Sequence, residues 1–199
     1  MFNEDRIRGE GMEDKSMDIE YIKTAVKESL NKLYSESSLI PRLNERAIAF
    51  RFAHHLANFI ESDKSGEEIV VDSEYGKDMD REKVIYENCS ECDELNCELK
   101  KEMKTNELKE THCYPDVIIH KREEHENDIC AIEIKRISNS DAIGRKNDHT
   151  KLVYFTCSKG IYKYKYGIFL DIGKDNCELT YYVQGDKSGV EVVSKHNLG

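Results

Sequence analysis

Apolar residues recur along this chain in two rhythms. Ile19, Ile22, Val26, Leu30 and Leu33 fall three or four apart, which predicts an amphipathic helix from an Asp18 N-cap to about Tyr34. Residues 37–43, with Pro41, form a connection. Ala49, Phe52, Ala53, Leu56, Phe59 and Ile60 repeat the helical rhythm and predict a second helix over 44–60. Glu45 lies on that stripe one turn before Ala49, so the inward face of this helix begins with a carboxylate. A period of two, or an unbroken apolar run, predicts strands at 68–75, 113–120, 128–136, 164–172 and 178–184. Residues 138–145 read as a loop, followed by a helix that starts at Asp148, carries Lys151 and ends near Ser158 or Gly160. Residues 76–113 break both rhythms. They are polar and cysteine-bearing, with no clear strand and helical potential over 91–108, and read as an insertion between two strands. The order is α-α-β-(insertion)-β-β-α-β-β without internal repeats. Residues 1–17 read as a flexible tail and 18–199 as a single domain.

With 199 residues, 38% of them hydrophobic and clustered periodically, the chain can bury one real core. No apolar run reaches the roughly 18 residues of a membrane span. The first residues lack the apolar centre of a signal peptide, so a cytoplasmic protein without a membrane partner is expected. The formal charge of -10 speaks against a nucleic-acid partner, but its distribution changes the picture. Residues 61–113 hold 17 acids and 8 bases, whereas 134–166 hold 8 bases and 2 acids. The acidity is concentrated in the insertion, and a local positive stretch able to attract phosphates follows the third predicted strand, 128–136. Seven cysteines, an odd count, favour reduced thiols or a metal site over a disulfide framework.

The chemistry concentrates on one predicted hairpin. Its strands, 113–120 and 128–136, flank a polar turn at 121–127. Symmetry about that turn sets Asp116 opposite Glu133, with Cβ atoms about 5 Å apart. Alternation puts Glu133 and Lys135 on one face and Ile132 and Ile134 on the other. Glu-x-Lys occurs five times in the chain, beginning at Glu13, Glu98, Glu102, Glu107 and Glu133. Only at Glu133 does it lie inside an apolar strand across from Pro115-Asp116. Two such carboxylates, with the Ile134 carbonyl, form a ligand set for a hard cation such as Mg²⁺ or Mn²⁺, which needs few protein oxygens and keeps several waters. Lys135 could orient an attacking water and stabilise charge developing on a phosphate. Glu45 could hold a second metal or a metal-bound water. The plainer reading is that Glu133 and Lys135 are solvated strand-end residues and Asp116 a turn residue after proline.

Pro115-Asp116 and Glu133-Ile134-Lys135 resemble the PD-(D/E)xK nuclease superfamily, as does a helix carrying Glu45 before the first strand. More narrowly, residues 44–49, 71–75, 115–122 and 131–135 are similar to a bacterial subgroup of small proteins of that fold. The resemblance spans about residues 18–172. It implies an α/β (α+β) restriction-endonuclease-like fold: a mixed β-sheet flanked by helices, with an αβββαβ core, here with an N-terminal helix and an insertion. It also implies a Mg²⁺-dependent phosphodiester hydrolase acting on DNA or RNA. Some superfamily members have lost catalysis, so the alternative is an idle module binding protein or nucleic acid, and a homodimer fits either reading. The insertion at 76–113 departs from the pattern and bears on access to the site.

Further residues carry weaker signals. Cys89, Cys92 and Cys97, with Cys113, are candidate ligands for a structural Zn²⁺. Cys-x2-Cys suits zinc, but the later spacings are not those of a standard knuckle, His112 competes as fourth ligand, and ordinary reduced thiols are the other reading. Lys151 and His149 are candidate phosphate ligands, with a solvated helix face as the alternative. His54 or His55 could approach phosphate but more simply packs or faces solvent. Asp72 or Glu74 could join the acidic group. The alternation of Tyr and Lys from Tyr162 to Tyr166 reads as the exposed face of an edge strand. Cys130, Cys157 and Cys177 read as thiols without a special role.

Overall fold

The structure is a computed structural model that describes residues 17–36, 40–62, 69–73, 77–78, 81–82, 84–86, 110–121, 128–158, 160 and 162–195. Helix α1 spans Ile19–Ser35, and the Asp18 side chain caps it by accepting from the Tyr21 amide at 2.8 Å. Helix α2 spans Glu45–Ser62, with the Asn44 side chain accepting from the Ala47 amide. Both bury the stripes that the three-four spacing marks, except that Ile19 and Phe59 are only half-buried.

The strands in chain order are β1 Ile69–Ser73, β2 Lys77–Asp78, β3 Arg81–Glu82, β4 Val84–Tyr86, β5 Glu110–His112, β6 Val117–Lys121 and β7 Cys130–Arg136. After helix α3, Ala142–Thr156, come β8 Tyr166–Ile172, β9 Asn176–Val183 and β10 Asp186–Ser194. Six of them form one open sheet in the order β1-β6-β7-β8-β9-β10. Every neighbouring pair is antiparallel except β7 and β8, which α3 connects as a crossover. The sheet is mixed and the fold is α+β.

Alternation along the central strands produces two cores. Val117, Ile119, Ile132, Ile134, Ile168 and Leu170 pack with α1 and α2 on one face. Ile118, Ala131 and Phe169 pack on the other with Leu152 and Phe155 of α3. The hairpin register pairs Val117 with Ile132 and Ile118 with Ala131. Carried one step outward, it sets Asp116 against Glu133, the pairing that symmetry about the turn requires. Asp116, Glu133 and Lys135 therefore share the α3 face, at the end where β7 leaves the sheet.

Four expectations need correction. Helix α3 begins at Ala142, six residues before Asp148, because the Asp141 side chain caps it by accepting from the Gly144 amide at 2.8 Å. An early glycine and an exposed Ile143 hide this first turn from a periodicity reading. Strand β10 was not expected. It returns along β9 through Gln184 and Gly185, whose φ values of 54° and 85° make the left-handed two-residue turn that suits a hairpin. The segment without a clear strand signal, 76–113, contains two short ladders, β2 with β3 and β4 with β5. Finally, Tyr162 and Tyr164 do not lie on an exposed edge. Both are buried, with ring centroids 5.5 and 5.7 Å from that of Phe155, and β8 is an interior strand. Residues 1–16 of the expected tail, Glu74, the 91–108 helix, and Cys89, Cys92 and Cys97 lie outside the described residues.

Candidate active site

Asp116 sits just before β6, where the ladder with β7 runs out. Its Oδ2 accepts from the Ile134 amide at 2.7 Å, so the carboxylate replaces a missing strand partner. Glu133 points into the α3 side and is 2% exposed. Lys135, next on that face, gives Nζ to Glu45 Oε1 at 2.9 Å and forms an ion pair with Asp148 Oδ2 at 3.1 Å. Lys151 gives Nζ to Asp148 Oδ1 at 2.7 Å and reaches Glu133 Oε1 at 3.4 Å. Glu45 enters from the first turn of α2, where a helix N-terminus favours an acid. Its other oxygen accepts from the Arg136 amide at 3.3 Å and from Asn139 at 3.4 Å. The connection into α3 is tied down beside it: Arg145 binds Asp171 at 2.6 Å and also donates to the Asn139 carbonyl.

Four carboxyl groups and two ammonium groups thus meet at one end of β7. With all six ionised the group carries two surplus negative charges, and the acids respond to it. Burial pushes the Glu133 carboxyl well above the usual range, and Asp116 and Asp148 add to that push against Lys151. Burial also raises Asp116, to about 6, despite the Ile134 amide and the two lysines that favour its charged form. Burial alone would lower both lysines. The bonds and charges of Glu45 and Asp148 around Lys135, and of Glu133 and Asp148 around Lys151, outweigh it and hold both above the ordinary value.

Of the expected site residues, Asp116, Glu133, Ile134, Lys135, Glu45 and Lys151 come together. Glu45 does so as the clamp of Lys135 and the Arg136 amide, with both oxygens engaged. His149 faces β8 and β9 instead: its Nδ1 meets the Tyr182 hydroxyl and its ring lies 4.1 Å from that of Phe169. Burial, with the Lys187 charge, lowers its pKa. Asp72 pairs with His120 at 3.0 Å, His54 with Asn58 and His55 with Glu36. Cys113 is a buried thiol of the α3-side core. Burial likewise pushes up the thiols of Cys130 and Cys177.

Asp148 is the site residue that the sequence reading passed over. It is 4% exposed and lies four and seven residues before Leu152 and Phe155 on the same buried stripe. An acid on an apolar stripe is a visible signal, although the same Asp also fits a helix cap.

Among the described residues, no group of three or more His, Cys, Asp or Glu side chains is arranged as a metal-binding set, and no helix is long and apolar enough to cross a membrane. The chain matches no family model, no curated protein and no solved structure. The donors nevertheless suit a hard cation. Asp116 and Glu133 bring coupled carboxyl oxygens whose charged forms are penalised by burial, and the surplus negative charge of the fully ionised cluster equals that of one divalent ion.

Proposed function

We propose that this chain is a metal-dependent phosphodiester hydrolase acting on DNA or RNA, built on a restriction-endonuclease-like frame. The buried carboxyl of Glu133 and the part-buried one of Asp116, in a cluster that carries two surplus negative charges when all six groups are ionised, with Lys135 fixed beside them, carry this reading. The element order α2-β1-β6-β7-α3-β8 supports it, being the αβββαβ order of the PD-(D/E)xK nucleases that Pro115-Asp116 and Glu133-Ile134-Lys135 resemble.

Asp116, Glu133 and the Ile134 carbonyl would hold Mg²⁺ or Mn²⁺, which when bound supplies charge neutralisation and a more acidic bound water. The protein's own groups do the rest. The Ile134 amide fixes the Asp116 carboxylate. Glu45 and Asp148 hold the Lys135 ammonium at the mouth of the carboxylate pair, where it orients water and stabilises charge on a phosphoryl oxygen. The apolar walls of β6, β7 and α3 keep bulk water away from Glu133.

The purified chain should cleave nucleic acid with Mg²⁺ or Mn²⁺, and Asp116→Ala and Glu133→Ala should each abolish cleavage. Robust cleavage in both variants overturns the assignment. One observation favours a second reading, a catalytically idle module that binds protein or nucleic acid: Lys135 and Lys151 already offset half of the acids' charge from within. A chain that binds no Mg²⁺ or Mn²⁺ while retaining a macromolecular partner would establish that alternative.

A further inference from the structure

Lys151 divides its ammonium unequally. It is 2.7 Å from Asp148 Oδ1 and 3.4 Å from Glu133 Oε1. Asp148 is the tighter partner, one helical turn away on the same rigid α3, whereas Glu133 belongs to the sheet. Lys135 holds a different position. It also pairs with Asp148, but its second partner is Glu45. Both ammonium groups are thus anchored on Asp148, and of the two it is Lys151 that lies against Glu133, whereas Lys135 lies against Glu45.

We infer that Lys151 is a latch on Glu133: it rests on the carboxylate in the metal-free protein, is displaced by an incoming divalent cation, and is retained by Asp148 beside the vacated oxygen. This rests on the proposed metal role of Asp116 and Glu133. The physical basis is competition for one anion. A cation reaching Glu133 must break a long, weak contact, while the shorter contact to Asp148 survives. Asp148 keeps the released ammonium next to the site, where it can meet an anionic substrate oxygen. Lys151 is therefore a positioning residue that regulates metal occupancy, and Asp148 is its resting anchor.

Mn²⁺ binding by the full-length chain, measured by calorimetry without nucleic acid, tests this apart from activity. Lys151→Met should tighten Mn²⁺ binding by about tenfold or more. Lys135→Met removes the same charge but no contact to Glu133, and should change affinity by less than about threefold. Lys151→Arg keeps the charge and strengthens the grip on the carboxylate through two-pronged bonding, so it should weaken Mn²⁺ binding. The arginine variant retains the net charge of the cluster and guards against a methionine variant that fails to fold. Equal gains in Lys151→Met and Lys135→Met, or unchanged affinity in Lys151→Arg, overturn the latch and leave the metal site standing. No Mn²⁺ binding by the wild-type chain overturns both.

Discussion

Replacing Asp116 with Asn should stabilise the fold while destroying its proposed chemistry. Burial raises the Asp116 carboxyl from 3.8 to about 6. A carboxyl whose pKa is raised on folding contributes stability that is fully present below its unfolded value, and loses it as pH rises through the folded value. The window here runs from just below pH 4 to about pH 6–7. A shift of about two units corresponds to roughly 3 kcal/mol at pH 7. Asp116 is not fully buried and its lysine neighbours adjust, so about 1.5–3 kcal/mol is the expected gain. Asn keeps an oxygen for the Ile134 amide, so the 2.7 Å bond survives. In a domain of this size the gain raises Tm by roughly 3–10 °C. The chain has no tryptophan, so urea unfolding is best followed by far-UV circular dichroism, in EDTA from pH 4 to 8. The advantage of Asp116→Asn should be largest at pH 7 and disappear near pH 4. Adding Mn²⁺ should stabilise the wild type and leave the variant unmoved. An advantage of equal size at both pH values, or a loss of stability at pH 7, refutes the reasoning.

Other residues make separate claims. Glu45→Gln removes the charge that clamps Lys135, and metal-dependent cleavage should fall by about tenfold or more, with ΔG of unfolding changed by less than about 1 kcal/mol. Phe155→Ala empties the contact with Tyr162 and Tyr164 and should cost about 3–5 kcal/mol in urea unfolding. Asp18→Ala removes the α1 cap and should cost about 1 kcal/mol in the same assay. Gly185→Val places a β-branched residue at φ 85° and should lower Tm by several degrees without altering Mn²⁺ affinity.

The hairpin was legible because two independent periodicities agreed. A polar turn fixed the register, and the alternating apolar residues on both strands fixed the faces. Asp116 and Glu133 followed from that register, and Glu45 from its place on a buried helical stripe. Asp148 was lost with the start of α3, since the cap at Asp141 precedes an exposed isoleucine and a glycine that carry no helical signal. Strand β10 was hidden for another reason: Gln184-Gly185 is a weaker turn signal than Asn-Gly, and Val190 and Val192 of β10 face outward. The partners of the lysines were not legible at all. Contacts from Lys135 to Glu45 and Asp148 depend on how a helix terminus on one side of the sheet and a helix on the other converge, which no local pattern encodes.

Ser73 on β1 pairs with Val117 on β6, so the chain leaves the sheet and rejoins it at a single point. The 43 residues between them occupy the place of a hairpin turn. Closure entropy grows only with the logarithm of length, about 0.6 kcal/mol per doubling. The sheet is therefore nearly indifferent to what is carried there. The excursion's last residues belong to the frame itself: Cys113 is buried in the α3-side core and Asp116 accepts from the Ile134 amide. A change of length ahead of Cys113 therefore leaves the pairing of Ser73 with Val117, and with it the register of the hairpin that bears Asp116 and Glu133, where it is.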